Sequence, residues 1–128
     1  MERLTAEERA ALLGAWREER SAAQAARSAG DTQSEWSHLE RAHILSQPMA
    51  MPHVRTHVSM LRYGIRHRDT GEIVGQLIRL VVAAPGTWTG RYPVGNTGGA
   101  NVSALLPMAI PDDLRPLLDG TQSEVEVA

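Results

Sequence analysis

Five histidines fall between positions 38 and 67 of a chain that has no cysteine. Three of them, with one glutamate, stand at helical spacing: Glu40 and His43 in SHLERAHILSQ, then His53 and His57 in MPHVRTHVSML. Glu-x-x-His puts two donors on one helix face, and His-x-x-x-His does the same one turn apart. Two such pairs on successive helices could converge on one metal ion. Imidazole and carboxylate without thiolate suit zinc first, then nickel, cobalt, copper(II), iron or manganese. A diiron centre of the ferritin-like kind needs a second Glu-x-x-His and further glutamates, so one divalent ion is expected.

The elements that would carry these donors are legible from caps and breakers. Thr5, with Glu8 three residues on, predicts a capping box and a first helix to about Ser28. Gly30 suits its C-terminus, and Asp31 or Thr32 can cap a second helix over 33–47, ending before Pro48. Pro52 suits the first turn of a third helix that runs to about Arg68. Asp69 and Glu72 stand at cap spacing for a fourth, expected to reach about Ala83. The prediction is an all-α domain of two consecutive helical hairpins. AARSAGDTQSEWSHLERAHIL resembles the helix-turn-helix unit of tetratricopeptide repeats, but covers barely one repeat of the three or so a stack needs. It serves as an analogy for packing.

Within this frame Val54, His57, Val58, Leu61 and Ile65 recur as the expected core stripe of the third helix. Trp36, Leu39, Glu40, His43 and Gln47 share one face of the second. A buried imidazole or carboxylate is costly unless paired or ligating a metal. With the bend centred near residue 50, His43 lies opposite His57, and His53 within a turn of both. Side chains lean toward the helix N-terminus, so Glu40 is either a fourth ligand, a residue holding an imidazole by its other nitrogen, or a base acting on a coordinated water. Glu19 on the first helix is a further carboxylate within reach. His38 lies about 140° around the helix from His43, and His67 about 20 Å along the third helix from His53; neither is expected to ligate. The plain alternative is a set of hydrogen-bonded core histidines, with Glu40 in a salt-bridge network.

From Pro85 to about residue 110 the chain is rich in glycine and proline. Trp88, Tyr92 and Val94 are the expected anchors of an ordered irregular segment with at most one short strand. PVGNTGGANVS has neither the Gly-Lys-Ser/Thr of a P-loop nor a dinucleotide fingerprint. It reads first as a turn-rich connector; as a lid it would face substrate with Asn96 and Asn101. Arg55 and Arg91 are the arginines expected to bind substrate, and Arg55, Arg62, Arg66, Arg68 and Arg91 could form an anion-attracting patch. Pro111 to Leu114 reads as a short terminal helix. Residues 1–118 are expected to form one metal-binding domain, and 119–128 an acidic flexible tail.

Bulk properties exclude several classes. All thirteen basic residues are arginine, and the formal charge is −2, without the basic stripe of a nucleic-acid binder. The absence of cysteine excludes disulfides and thiolate ligands. The start of the chain lacks a signal-peptide apolar run, and the longest apolar stretch, 78–85, is broken by Arg79 and too short to span a bilayer. A cytoplasmic protein without membrane contact is expected, and a homodimer would bury further apolar surface.

The strings LERAHILSQ, H-x-x-x-H-x-x-ML and RYPVGNTGGANVSALLPM-IP resemble a small bacterial family, a domain of unknown function whose members often lie near metal-resistance genes. The resemblance spans about residue 25 to residue 118. It implies that Glu40, His43, His53, His57 and the glycine-rich loop belong to the family pattern, and it carries no established activity. The residues themselves point to a small metal-dependent hydrolase acting on an ester, lactone or phosphoester, with zinc on His43, His53, His57 and Glu40. A non-catalytic metal-binding protein for homeostasis or resistance is the alternative.

Overall fold

The computed structural model describes residues 3–90, 92–103 and 106–122, apart from the side chains of 82–85, 88 and 120–122. Among these residues five helices follow in order: α1 (Ala6–Ser28), α2 (Thr32–Ser46), α3 (Ala50–Arg66), α4 (Thr70–Trp88) and α5 (Arg115–Gln122). There is no strand among the described residues, so the all-α expectation holds. α1 pairs with α2 and α3 with α4, and the α2–α3 contact joins the two hairpins. None of the described helices is long and apolar enough to cross a membrane.

Local chemistry explains each turn. Thr5 and Glu8 form the reciprocal capping box that starts α1. At its end Gly30 takes φ 73°. Its N–H reaches the Arg27 carbonyl and the Asp31 N–H the Ala26 carbonyl, a Schellman closure that favours glycine. Asp31 then accepts from the Ser34 N–H to cap α2. The α3–α4 turn uses the same hydrogen bonds, from Arg68 to Ile65 and from Asp69 to Gly64. Here the left-handed position is filled by Arg68 at φ 53°. Gly71, read from the sequence as part of the break, sits inside α4. Asp69 caps α4 through the Glu72 N–H, as its spacing predicted.

Two expectations shift. α4 continues five residues beyond Ala83, through Pro85, although a proline inside a helix forfeits a hydrogen bond. Its last turn is held from outside, because Thr87 is buried and bonded to both α3 and the α2–α3 turn. The buried face of α3 is also not Val54, Val58, Leu61 and Ile65. It is Pro52, His53, Thr56, His57, Met60 and Gly64, and Ile65 is exposed. His57 is the one residue shared with the expected stripe, of which Val54, Val58 and Leu61 are half-buried, so the buried face is rotated around the helix toward the histidine site.

The main core joins Leu12 and Trp16 of α1 to Ala42, Ile44 and Leu45 of α2, with Met49, Ile110, Leu114 and Leu118. The C-terminal segment is thus anchored by Ile110, Leu114 and Leu118, with Val94 packed against them. Trp88, an anchor expected from sequence, has its side chain outside the described part. A second cluster of Ala23, Leu39 and Met60, with Trp36 and Tyr63, joins α1, α2 and α3. The Trp16 indole donates to Thr56 Oγ1 across 2.9 Å, tying α1 to α3. The terminal helix starts at Arg115, after a turn at 112–114 where the sequence reads as helix, and reaches Gln122, so residues 119–122, expected to be flexible tail, are helical; 123–128 lie outside the described residues.

Candidate metal centre

α2 brings His43 to the hairpin bend in its last turn, and the first two turns of α3 bring His53 and His57. The three side chains are 3%, 5% and 2% exposed. Their Nε2 atoms form a nearly equilateral triangle, with His43–His57 and His43–His53 at 3.1 Å and His53–His57 at 3.2 Å. An ion about 2.0–2.1 Å from each imidazole nitrogen would space them by about 3.3 Å in a tetrahedral set and about 3.0 Å in an octahedral one. The triangle falls between the two.

Why the Nε2 atoms converge is decided by the other ring nitrogens. His43 Nδ1 lies 2.7 Å from the Asn96 carbonyl, which can only accept. His53 Nδ1 lies 3.0 Å from Thr87 Oγ1. That hydroxyl donates its proton to the Gln47 carbonyl and so accepts from His53. His57 Nδ1 lies 2.6 Å from Gln76 Oε1. The Gln76 amide nitrogen donates to Glu72 and to the Gly98 carbonyl, which leaves its oxygen for the imidazole. Each ring therefore carries its proton on Nδ1, and three Nε2 lone pairs point at one another. Lone pairs repel at 3.1 Å unless a cation lies among them. Histidines that ligate a metal are usually held in this way, the outer nitrogen hydrogen-bonded and the inner one facing the ion.

Electrostatics keep the rings neutral. Burial, first, and the neighbouring imidazoles hold His43 well below the ordinary imidazole range. Burial likewise brings His57 down to about 4, with Arg79 adding to the effect and the Gln76 hydrogen bond opposing it. Neutral imidazole is the form that ligates.

α4 and the glycine-rich loop supply the surroundings. In α4, Glu72, Gln76 and Arg79 lie four and three residues apart on the inward face, and all are buried. Glu72 accepts from the Ala100 N–H as well as from Gln76. Arg79 donates to the Gly99 and Val102 carbonyls. The loop crosses directly over His43: a Cβ on Gly98, whose φ is 84°, would stand 2.6 Å from that ring. Gln47 clamps the loop, donating to the Pro93 carbonyl and accepting from the Gly95 N–H.

Three of the four predicted ligands thus come together. Glu40 does not belong to the set whose ligand atoms lie within 4.8 Å of one another, nor does it accept from any of the three Nδ1 atoms. It is half-buried, its proton affinity raised chiefly by burial and by nearby Glu72, and lowered by the Thr97 hydroxyl. Its position three residues before His43 aims it along α2, away from the bend. Glu19 does not reach the site, because His38 and Arg41 bind its carboxylate. His67 stacks on Tyr63.

The predicted substrate residues are dispersed. The Asn96 amide is buried and spent inside the loop, donating to the Ser103 and Leu106 carbonyls and accepting from Gly98. Its contribution to the site is its backbone carbonyl. Asn101 is exposed beside Gly99. Arg55 is exposed on α3, where its charge bears on Arg20. Nearby, Arg20, Arg27, Arg62 and Arg66 line a separate surface cleft of about 130 Å³. Arg91 lies outside the described residues.

Sequence reasoning passed over Gln76, Thr87 and the Asn96 carbonyl. A signal for the first existed: Glu72, Gln76 and Arg79 are the polar residues in an otherwise apolar run, at helical spacing.

A family match encloses all of these residues. The chain belongs to the family described as protein of unknown function (DUF3703). The match covers residues 10–118, from the second turn of α1 into α5, and so contains the three imidazoles, their α4 acceptors and the loop. No curated protein and no solved structure matches the chain. Membership in DUF3703 carries no reaction with it, and the functional argument rests on the site.

Proposed function

We propose that this protein holds one divalent cation, zinc by preference, on His43, His53 and His57, and uses it to hydrolyse an ester, lactone or phosphoester. The observation that carries the reading is the triangle of Nε2 atoms at 3.1–3.2 Å, each imidazole locked by an acceptor on its Nδ1. Three neutral protein ligands leave a coordination position for a small molecule, and a divalent ion in such a set lowers the pKa of a bound water to about 7. Glu40 would act as proton acceptor, since its half-buried carboxylate has a raised proton affinity. It stands outside the ligand set, three residues before His43 on α2.

One observation favours a second reading. All three imidazoles are buried and Gly98 lies on the ring of His43, which suits metal retention without turnover, as in homeostasis or resistance.

Elemental analysis of protein purified without added metal tests the shared premise. About one metal per chain is expected, lost in His57→Ala; wild type that neither carries nor takes up zinc or cobalt would overturn both readings. Cobalt-substituted protein then separates them. A visible spectrum that shifts on adding azide reports an open position, and ester or phosphoester cleavage that disappears on chelation and falls at least tenfold in Glu40→Gln establishes hydrolysis. A spectrum indifferent to added anions, with no cleavage, assigns the protein to metal retention.

A further inference from the structure

α4 is built inside out. Its only charged residues, Glu72 and Arg79, are buried against the loop. Its outward surface instead presents Val74, Leu77, Ile78 and Val81, which are 52%, 50%, 59% and 76% exposed. The spacing of three, one and three residues makes these four one continuous stripe down two turns of helix. Solvent-facing helix surfaces ordinarily carry the charges, so a stripe of this kind is a surface awaiting a partner.

We propose that this stripe is the interface of a two-fold symmetric homodimer, in which α4 packs antiparallel against α4 of a second copy. The stripe is symmetric about the point between residues 77 and 78. A two-fold axis through that point sets Val74 of one copy against Val81 of the other, and Leu77 and Ile78 each against its own counterpart. A patch that must contact itself needs this self-complementarity. A partner of different sequence would not need it. No like charges meet across the axis, because α4 directs both of its charges inward. The four side chains expose on the order of 400 Å² of apolar surface. That is about half of the ~800 Å² per partner of a standard interface, which places the dimer among the small, weak ones. The same helix carries Gln76 and Thr87 inward to the imidazoles, so the dimer would brace the outer wall of the metal centre.

Sedimentation velocity on the full chain from about 1 to 200 μM, with and without zinc, tests the proposal, the dimer being expected to dissociate in the micromolar range typical of small interfaces. Leu77→Glu and Leu77→Arg should each be monomeric, with dissociation constants raised at least tenfold, while unchanged helical circular dichroism shows that both remain folded. Mixed together, they should restore a dimer, because the axis places opposite charges face to face. A wild-type monomer at 200 μM overturns the proposal. So does a dimer that both variants leave intact, or a mixture that stays monomeric.

Discussion

His43, His53 and His57 act as one unit because each spends its outer nitrogen on a different acceptor, two of them on α4 and the third in the glycine-rich loop. Thr87 is the most informative of them to remove. Thr87→Val keeps the volume but takes away the acceptor from His53 and the donor from Gln47. Loss of the group that holds a ligating imidazole by its outer nitrogen typically costs 10–100-fold in metal affinity. Zinc affinity by competition titration should fall by about that factor in Thr87→Val and recover in Thr87→Ser. Protonation gives a second prediction for the metal-stripped protein. Burial depresses the proton affinity of His43 and His57 in the folded state, His57 to about 4, whereas the unfolded chain titrates near about 6.5. Below that value the unfolded state binds more protons. Stability is therefore complete above about pH 6.5 and declines as pH falls toward about 4. Denaturant unfolding in chelator at several pH values measures this; a flat profile across that window would contradict the assigned burial. How much of this was readable in advance is also clear at this scale. The ligand types and spacings were, since HxxxH and the neighbouring histidine need only helix geometry. The acceptors were not, because a carbonyl at Asn96 has no signature in its side chain.

At the level of elements, helix ends followed their caps, and the expected face of α2 is the buried one, but the faces of α3 and α4 did not follow hydropathy. Thr5, Gly30, Asp31 and Asp69 ended or started helices by local hydrogen bonds, which sequence neighbours suffice to form. The inward face of α3 is polar and the outward face of α4 apolar, because the first surrounds the imidazoles and the second is left uncovered. Two substitutions test the turns. Arg68 pays for a left-handed conformation that glycine adopts freely, so Arg68→Gly should raise stability by about 1 kcal/mol, seen as an increase in Tm. Gly98→Ala should do the opposite. It forces a side chain onto the His43 ring at positive φ, and should cost on the order of 1–3 kcal/mol. Zinc affinity should drop with it, as isothermal titration would show.

Considered whole, the site is the junction of the molecule. α2 and α3 provide the ligands, while α4 and the loop at 93–103 hold them. A bound ion consequently links α2 and α3 at the hairpin bend, where α4 and the loop close over both. Ligand present at about 100 times its Kd stabilises a folded state by about 2.7 kcal/mol. Chelation of the metal-loaded protein should lower Tm by several degrees, and hydrogen exchange should quicken in α4 and the loop before it does in the Leu12–Leu45–Leu118 core. The same treatment should leave His57→Ala unchanged; a chelator effect in that variant would place the ion elsewhere.

The sequence by itself determined the helical hairpins, their caps and the identity of three donors, because those depend on contacts between residues a few positions apart. Tertiary structure alone decided that Glu40 stands aside, that Gln76, Thr87 and the Asn96 carbonyl orient the rings, and that α4 faces outward with its apolar side. Those outcomes depend on how a loop more than forty residues distant crosses the hairpin bend. Long-range closure of that kind is set by how the whole chain packs and by which polar groups must find partners once buried.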